Sequence, residues 1–172
     1  MSKRSTDILF QLIHSLVKAE KRHFKLFIKR NSSNEDLKIV QLFDALDKME
    51  EYDDTKLLKK LPTVQKSQLS NLKAHLYKQV MASLRLLKST DSIDLQLNEQ
   101  FDFAHILYKK GLHMQSLKIL EKAKETAKVN QKINFLIQAI ALEKRIESLH
   151  ITRSMQDRAD SLAAEAEEAI RH

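Results

Sequence analysis

A chain of 172 residues, 42% of them hydrophobic, is large enough for one domain that buries roughly 70% of its unfolded surface. A single glycine and a single proline leave too few turn residues for a β architecture, and too few glycines for a phosphate-cradling loop or a nucleophile elbow. With no cysteine there is no disulfide framework, thiolate metal site or cysteine nucleophile, which fits a reducing, cytoplasmic setting; the formal charge is +7.

Taken in order, MSKRSTDILFQLIHSLVK begins basic and turns apolar, but Asp7, Gln11 and His14 interrupt the apolar run and no small-residue cleavage site follows. It reads as a first helix capped by Ser5 or Thr6, with Asp7 in its first turn. No apolar run approaches the ~20 residues that a membrane span requires, so no membrane partner is expected.

Residues 17–30, VKAEKRHFKLFIKR, form the most charged stretch. Lys18, Arg22, Lys25 and Lys29 recur at i, i+4, i+7 and i+11 on one helical face, with Phe24, Phe27 and Ile28 turned away from it. Residues 1–30 carry eight Lys or Arg against Asp7 and Glu20, a net of +6, which is most of the charge of the chain. The stripe is either a solvated helix face or a surface that neutralises nucleic-acid phosphates; with no aromatics interleaved, base stacking is not suggested.

Asn31 to Asn34 is a polar break, and Asn34 before Glu35 and Asp36 is a helix start. That helix, to about Glu50, is expected to bury Leu37, Val40, Phe43 (or Leu42) and Leu46; a short helix from Thr55 to Leu61 ends at Pro62. Residues 31–66 hold six basic and eight acidic side chains, a net of −2, so this segment could lie against the basic one.

From Ser67 to Lys88 a long helix places Leu69, Leu72, Leu76, Val80, Leu84 and Leu87 on one stripe, widened by Tyr77 and Met81. Asp91 and Ser92 then open a helical hairpin. In its first half Leu97, Ala104 and Leu107 line one stripe and Phe101, His105 and Tyr108 the next; Gly111, after two lysines, suits a helix C-terminus. The second half carries Leu112, Ser116, Ile119, Ala123 and Ala127 on one stripe, with Leu117 and Leu120 beside it. Small residues at Ala104, Ser116 and Ala123 let the two helices approach closely.

These residues resemble a known family. YKKG followed by Ser116, Leu120 and Ala123 is similar to the middle of a tetratricopeptide repeat, with Ala104 and Ala123 in small-residue slots and Leu107 and Tyr108 closing the first helix. The match covers about 28 residues and departs from the pattern at Gln100, where an aromatic is usual, at Ser116, where alanine is usual, and near Lys128, where no proline follows. The resemblance implies an all-α fold of stacked antiparallel hairpins, a tetratricopeptide-like right-handed α-solenoid. It also implies that the first helix of each hairpin lines a concave, peptide-contacting groove, here Phe101, His105 and Tyr108 with Asn98 and Lys109 beside them. The alternative for the aromatic stripe is packing against the helix of residues 67–88.

After Asn130, Ile133, Leu136, Ile137 and Ile140 make one apolar face and Phe135, Ala139, Leu142, Ile146 and Leu149 another, as expected for a helix between two neighbours. Ser154 with Asp157 has capping-box spacing, so a final helix through Ala159, Leu162, Ala166 and Ile170 is expected to start there, unless one helix runs from 131 to 170. The expected organisation is a single all-helical domain over residues 1–172: N-terminal helices to 66, a long helix and central hairpin over 67–130, and a second hairpin over 131–172. The chain also resembles the front portion of longer bacterial helical-repeat proteins without assigned activity, and is expected to be a piece of a longer one.

Glu20 with His23, and Glu147 with His150, show the Glu-x-x-His spacing of di-iron bundles, with Asp102 and His105 a near relative. Glu20 lies among Lys21, Arg22 and Lys25, so solvent-facing charge pairs account for the spacing better than ligation, and His14, His75 and His113 have no partner at ligand spacing. No catalytic residue, metal or cofactor is therefore expected. The function read from the sequence is a non-catalytic scaffold that binds a protein or peptide through Asn98, Phe101, His105, Tyr108 and Lys109. The alternative is a nucleic-acid-binding module using Lys18, Arg22, Lys25 and Lys29.

Overall fold

In the computed structural model, residues 7–30 and 34–171 are described; the cap expected at Ser5 or Thr6 lies outside them. The described residues form eight α-helices and no strand: α1 (Ile8–Ser15), α2 (Lys18–Lys29), α3 (Asn34–Lys48), α4 (Asp54–Lys60), α5 (Lys66–Lys88), α6 (Ile93–Lys109), α7 (His113–Val129) and α8 (Ile133–Arg171). None of these is long and apolar enough to cross a membrane. The chain forms two compact units, residues 1–88 and 89–172.

The first unit is built around one core. Asp7, expected inside the first turn, is the N-cap of α1 and accepts a hydrogen bond from the Phe10 amide at 2.8 Å. The chain leaves helical geometry at Leu16 and Val17 without glycine or proline; Leu16 is buried, and Glu20 reaches back 2.9 Å to accept from the Val17 amide, which starts α2 afresh. Phe24 and Ile28 of α2 are buried, with the Phe24 ring 4.7 Å from that of Phe43. His14 bonds the Leu46 carbonyl at 2.8 Å, and His23 bonds the Ser83 hydroxyl at 2.7 Å, so both act as core-edge pins.

Two expectations about buried faces change. On α3 the buried set is Ile39, Leu42, Phe43, Ala45 and Leu46, while Leu37 is 62% exposed. The i, i+3, i+4, i+7 stripe starting at Ile39 outweighs the one starting at Leu37 because it gathers four large side chains against the core. On α5, Leu69, Leu76, Val80 and Ser83 are buried and Leu72, Tyr77 and Leu84 pack against the core edge, but Met81 is exposed.

The second unit is three helices, each turning back on the one before. Both turns are Schellman motifs. At the first, the Leu112 amide bonds the Leu107 carbonyl and the Gly111 amide bonds that of Tyr108, both at 2.9 Å, with Gly111 at φ +80°. At the second, the Lys132 amide bonds the Ala127 carbonyl at 2.8 Å and the Gln131 amide bonds that of Lys128 at 3.2 Å, with Gln131 itself at φ +56°. Packing follows the small residues: Leu97 meets Ala123 and Ala127 in one cluster, and Ala104 meets Leu120 and Ile146 in the next. The Ser116 hydroxyl donates to the Ala104 carbonyl at 2.7 Å. Leu112, placed on the same stripe by the sequence, is instead exposed beside the turn.

Of the two readings left open for the C-terminal part, a second hairpin or one helix over 131–170, the structure has the single helix: α8 has 39 residues and is ~58 Å long. Ser154 does not cap because nothing near it breaks a helix: the following residues are rich in Ala, Glu, Leu and Arg, the strongest helix formers. Of its two apolar faces, Phe135, Ala139, Leu142 and Ile146 pack on α6 and α7. Ile133, Ile137 and Ile140, expected to meet a further neighbour, are exposed.

Candidate functional site

The groove between α6 and α8 gathers most of the residues that the sequence assigns to peptide contact. Ser92 caps α6 and accepts from the Leu95 amide, which sets the rotation that turns Leu97 and Ala104 inward. The adjoining stripe, Asn98, Phe101, Asp102 and His105, then faces Gln138, Ala141, Leu142 and Arg145 of α8 across a groove of about 450 Å³. Both walls use the same i, i+3, i+4, i+7 spacing. Phe101 lies nearly parallel to Phe135, centroids 6.2 Å apart, and Leu142 packs beside it, so the floor is apolar. The rims carry an amide and a cationic or titratable side chain on each helix: Asn98 and His105 on one, Gln138 and Arg145 on the other. Such a trough offers apolar contact along its base and hydrogen bonds along its edges.

Two of the five predicted contacts fall outside this groove. Tyr108 is half-buried one turn further on, its ring stacked 5.2 Å from His113, which His150 meets edge-on at 5.6 Å. Lys109 is exposed in the last turn of α6, where its charge opposes the helix dipole, and does not line the groove. Conversely, Asp102 and the whole α8 wall escaped the sequence reading. The repeated i, i+3, i+4, i+7 spacing could have revealed them, once α8 is placed alongside α6.

The basic stripe of α2 is a real surface feature. Lys18, Arg22, Lys25 and Lys29 are all exposed. Lys25, however, is bonded to Asp44 at 2.6 Å and Lys21 to Asp47 at 2.6 Å, so acidic α3 does lie along one flank of the basic helix. Glu20 faces Lys88 at 3.5 Å. Lys18, Arg22 and Lys29 make no ion pair among the described residues, leaving three of the four predicted cations to face solvent.

A third cluster lies in the first unit, at the mouth of a cavity of about 840 Å³ between α1, α4 and α5. Lys73 bonds the carboxylate of Asp7 and the hydroxyl of Tyr52, and Tyr52 donates to Asp54. Burial, then the bond to Asp54, pushes the Tyr52 phenol up to about 12, against the opposing pull of Lys73. Burial works against the charge of Lys73, but its bonds to Asp7 and Tyr52 prevail and its pKa is raised. A lysine held protonated in this way is a strut between helix ends rather than a base. Sequence reading had no local signal for it, because Asp7 and Lys73 are 66 residues apart.

Three members of the Glu-x-x-His pairs are engaged elsewhere: Glu20 with the Val17 amide and Lys88, His23 with Ser83, and His150 with His113. Among the described residues no three His, Asp or Glu side chains converge as a metal site would require. No known protein family, curated protein or solved structure matches the chain.

Proposed function

We propose that the chain is a non-catalytic helical scaffold whose second unit, a tetratricopeptide-like set of three helices, binds an extended peptide in the groove between α6 and α8. The observation that carries this reading is the pair of matched walls. Asn98, Phe101, Asp102 and His105 stand opposite Gln138, Ala141, Leu142 and Arg145 over an apolar floor. A peptide backbone needs regularly spaced donors and acceptors, and its apolar side chains need a floor; the groove supplies both from rigid helices. The test is selection of binding peptides from a displayed random library, followed by fluorescence anisotropy with the selected sequence. His105→Ala and Arg145→Ala are each expected to weaken binding about tenfold while helicity is retained. Selected peptides that bind both variants as tightly as the parent chain would remove the groove from consideration.

A second reading keeps α2 as a nucleic-acid surface, favoured by the exposure of Lys18, Arg22 and Lys29, which make no ion pair among the described residues. It requires binding that falls steeply with salt and is lost when Lys18, Arg22, Lys25 and Lys29 are all changed to glutamine. No binding to single- or double-stranded nucleic acid at low salt would leave the stripe as a solvated face.

A further inference from the structure

Beyond Ile146, α8 projects as a single helix in which every described residue is exposed. Its apolar pattern changes phase there. The inner stripe Phe135, Ala139, Leu142, Ile146 and Leu149 steps by four and three in alternation, and the step from Leu149 to Thr152 breaks the alternation. A second stripe follows: Thr152, Met155, Ala159, Leu162, Ala166 and Ala169, again alternating three and four. Such a 3.5-residue period is that of a helix packing along another helix over its whole length. Met155 is 69% exposed and Leu162 55%, and the Thr152 hydroxyl is satisfied within its own helix by the Ser148 carbonyl at 2.9 Å, leaving the stripe with no polar demand of its own.

Charge is distributed unevenly along the same segment. Residues 149–158 carry Arg153 and Arg158 against Asp157, a net of +1; residues 159–171 carry Arg171 against Asp160, Glu165, Glu167 and Glu168, a net of −3. A helix basic at one end and acidic at the other is complementary to a reversed copy of itself. The stripe has matching size complementarity. Laid antiparallel about a point between Ala159 and Leu162, it sets Leu162 against Ala159, Met155 against Ala166 and Thr152 against Ala169 of the second helix, each larger side chain opposite a smaller one. Arg158 then flanks Glu165 of the second copy twice over, by symmetry, and Leu149 flanks Ile170. A parallel pairing would align like-charged ends and set Leu162 on Leu162 and Ala on Ala.

We infer that the C-terminal half of α8 is a self-association surface, on which two copies of this chain pair as an antiparallel two-helix coil centred on Ala159 and Leu162. The contact is isologous, so it closes at a dimer. It also presents the α6 and α8 grooves of two copies on one particle, where tandem ligands would gain by avidity.

The test uses the full chain in sedimentation velocity over a concentration series. A dimer is expected, with Leu162→Lys leaving monomer throughout. Arg158→Glu alone and Glu165→Arg alone should each weaken association about tenfold, and the double swap R158E/E165R should restore it, because each copy then again meets the opposite charge. Orientation is read from single-cysteine spin labels, which are unique because the chain has no cysteine. A label at Ser161 should report a short inter-copy distance and one at Ser148 about 37 Å, the axial offset of 25 residues. A monomer at every concentration overturns the inference and leaves the stripe to a different helix. A dimer that the double swap does not rescue, or one in which the Ser148 labels lie close together, overturns it equally.

Discussion

The two units hide apolar surface in different ways. In the first, large side chains from all five helices, Phe24, Phe43, Leu46, Leu57, Leu76 and Val80 among them, converge on one continuous core. In the second there is no such centre: two small clusters sit between helices that touch mainly through Ala104, Ser116, Ala123 and Ala127, with a leucine or isoleucine beside each. The first packing is three-dimensional and depends on volume. The second is a succession of neighbour contacts and depends on close approach and on the turns that set it. A surface made by a succession of neighbours also leaves regular grooves between alternate helices, which is where the candidate site lies.

Removing core volume from the first unit is the most damaging change. Phe43→Ala is expected to cost ~3 to 5 kcal/mol in urea unfolding, because Phe43 is fully buried against Phe24 and a cavity would remain. In the second unit the damaging change is the opposite one. Ala123→Leu adds volume at a seam where alanine is fully buried and should cost ~1 to 3 kcal/mol by forcing α6 and α7 apart. If Ala123→Leu were neutral, the seam would be loose and the contrast between the units would fail.

The two turns sharpen the contrast on a smaller scale. Gly111 has open space where a Cβ would go, so Gly111→Ala meets only the backbone penalty of φ +80° and should cost ~1 kcal/mol. Gln131 occupies the equivalent position of the second turn at φ +56°, so Gln131→Gly should stabilise by up to ~1 kcal/mol. Thermal unfolding of the two variants should shift in opposite directions.

The smallest effect concerns pH. The Tyr52 phenol sits at about 12 in the folded chain against 10.0 for a free tyrosine, so the folded state holds its proton more tightly. That contribution is fully present below pH 10 and is lost as pH rises from 10 to 12, and partial exposure of the ring keeps it small. Tyr52→Phe should therefore lose less stability than the parent chain across that interval in paired alkaline unfolding curves; identical losses would contradict a Tyr52 phenol raised by burial and its bond to Asp54.

Much of the fold is legible in the sequence because helices here announce themselves locally. Gly111 after two lysines marks a C-cap, Ser92 an N-cap, and the opposed charges of residues 17–30 and 31–66 anticipate the pairing of Lys21 and Lys25 with Asp47 and Asp44. What stays hidden depends on partners far along the chain. Leu37 and Ile39 begin equally plausible stripes on α3, and only the arrival of α1 and α5 selects the second. The two apolar faces of α8 are indistinguishable by periodicity, yet Phe135, Ala139, Leu142 and Ile146 of one turn inward, whereas of the other only Leu136 packs against the cluster of Leu97, Ala123 and Ala127. The site was half legible for the same reason: Asn98, Phe101 and His105 follow from the hairpin, whereas the wall of Gln138, Ala141, Leu142 and Arg145 exists only once α8 lies beside α6.

If partner recognition belongs to this groove, as proposed, a bound peptide perturbs its two walls and leaves α2 untouched. The most direct measurement is titration of the isotope-labelled chain with a library-selected peptide, followed by amide chemical shifts. Shifts are expected to concentrate at Asn98, Asp102, His105, Gln138 and Arg145, with α2 unchanged. Shifts gathered instead along Lys18, Arg22 and Lys29, or on the exposed Ile133 and Ile137 face of α8, would contradict it.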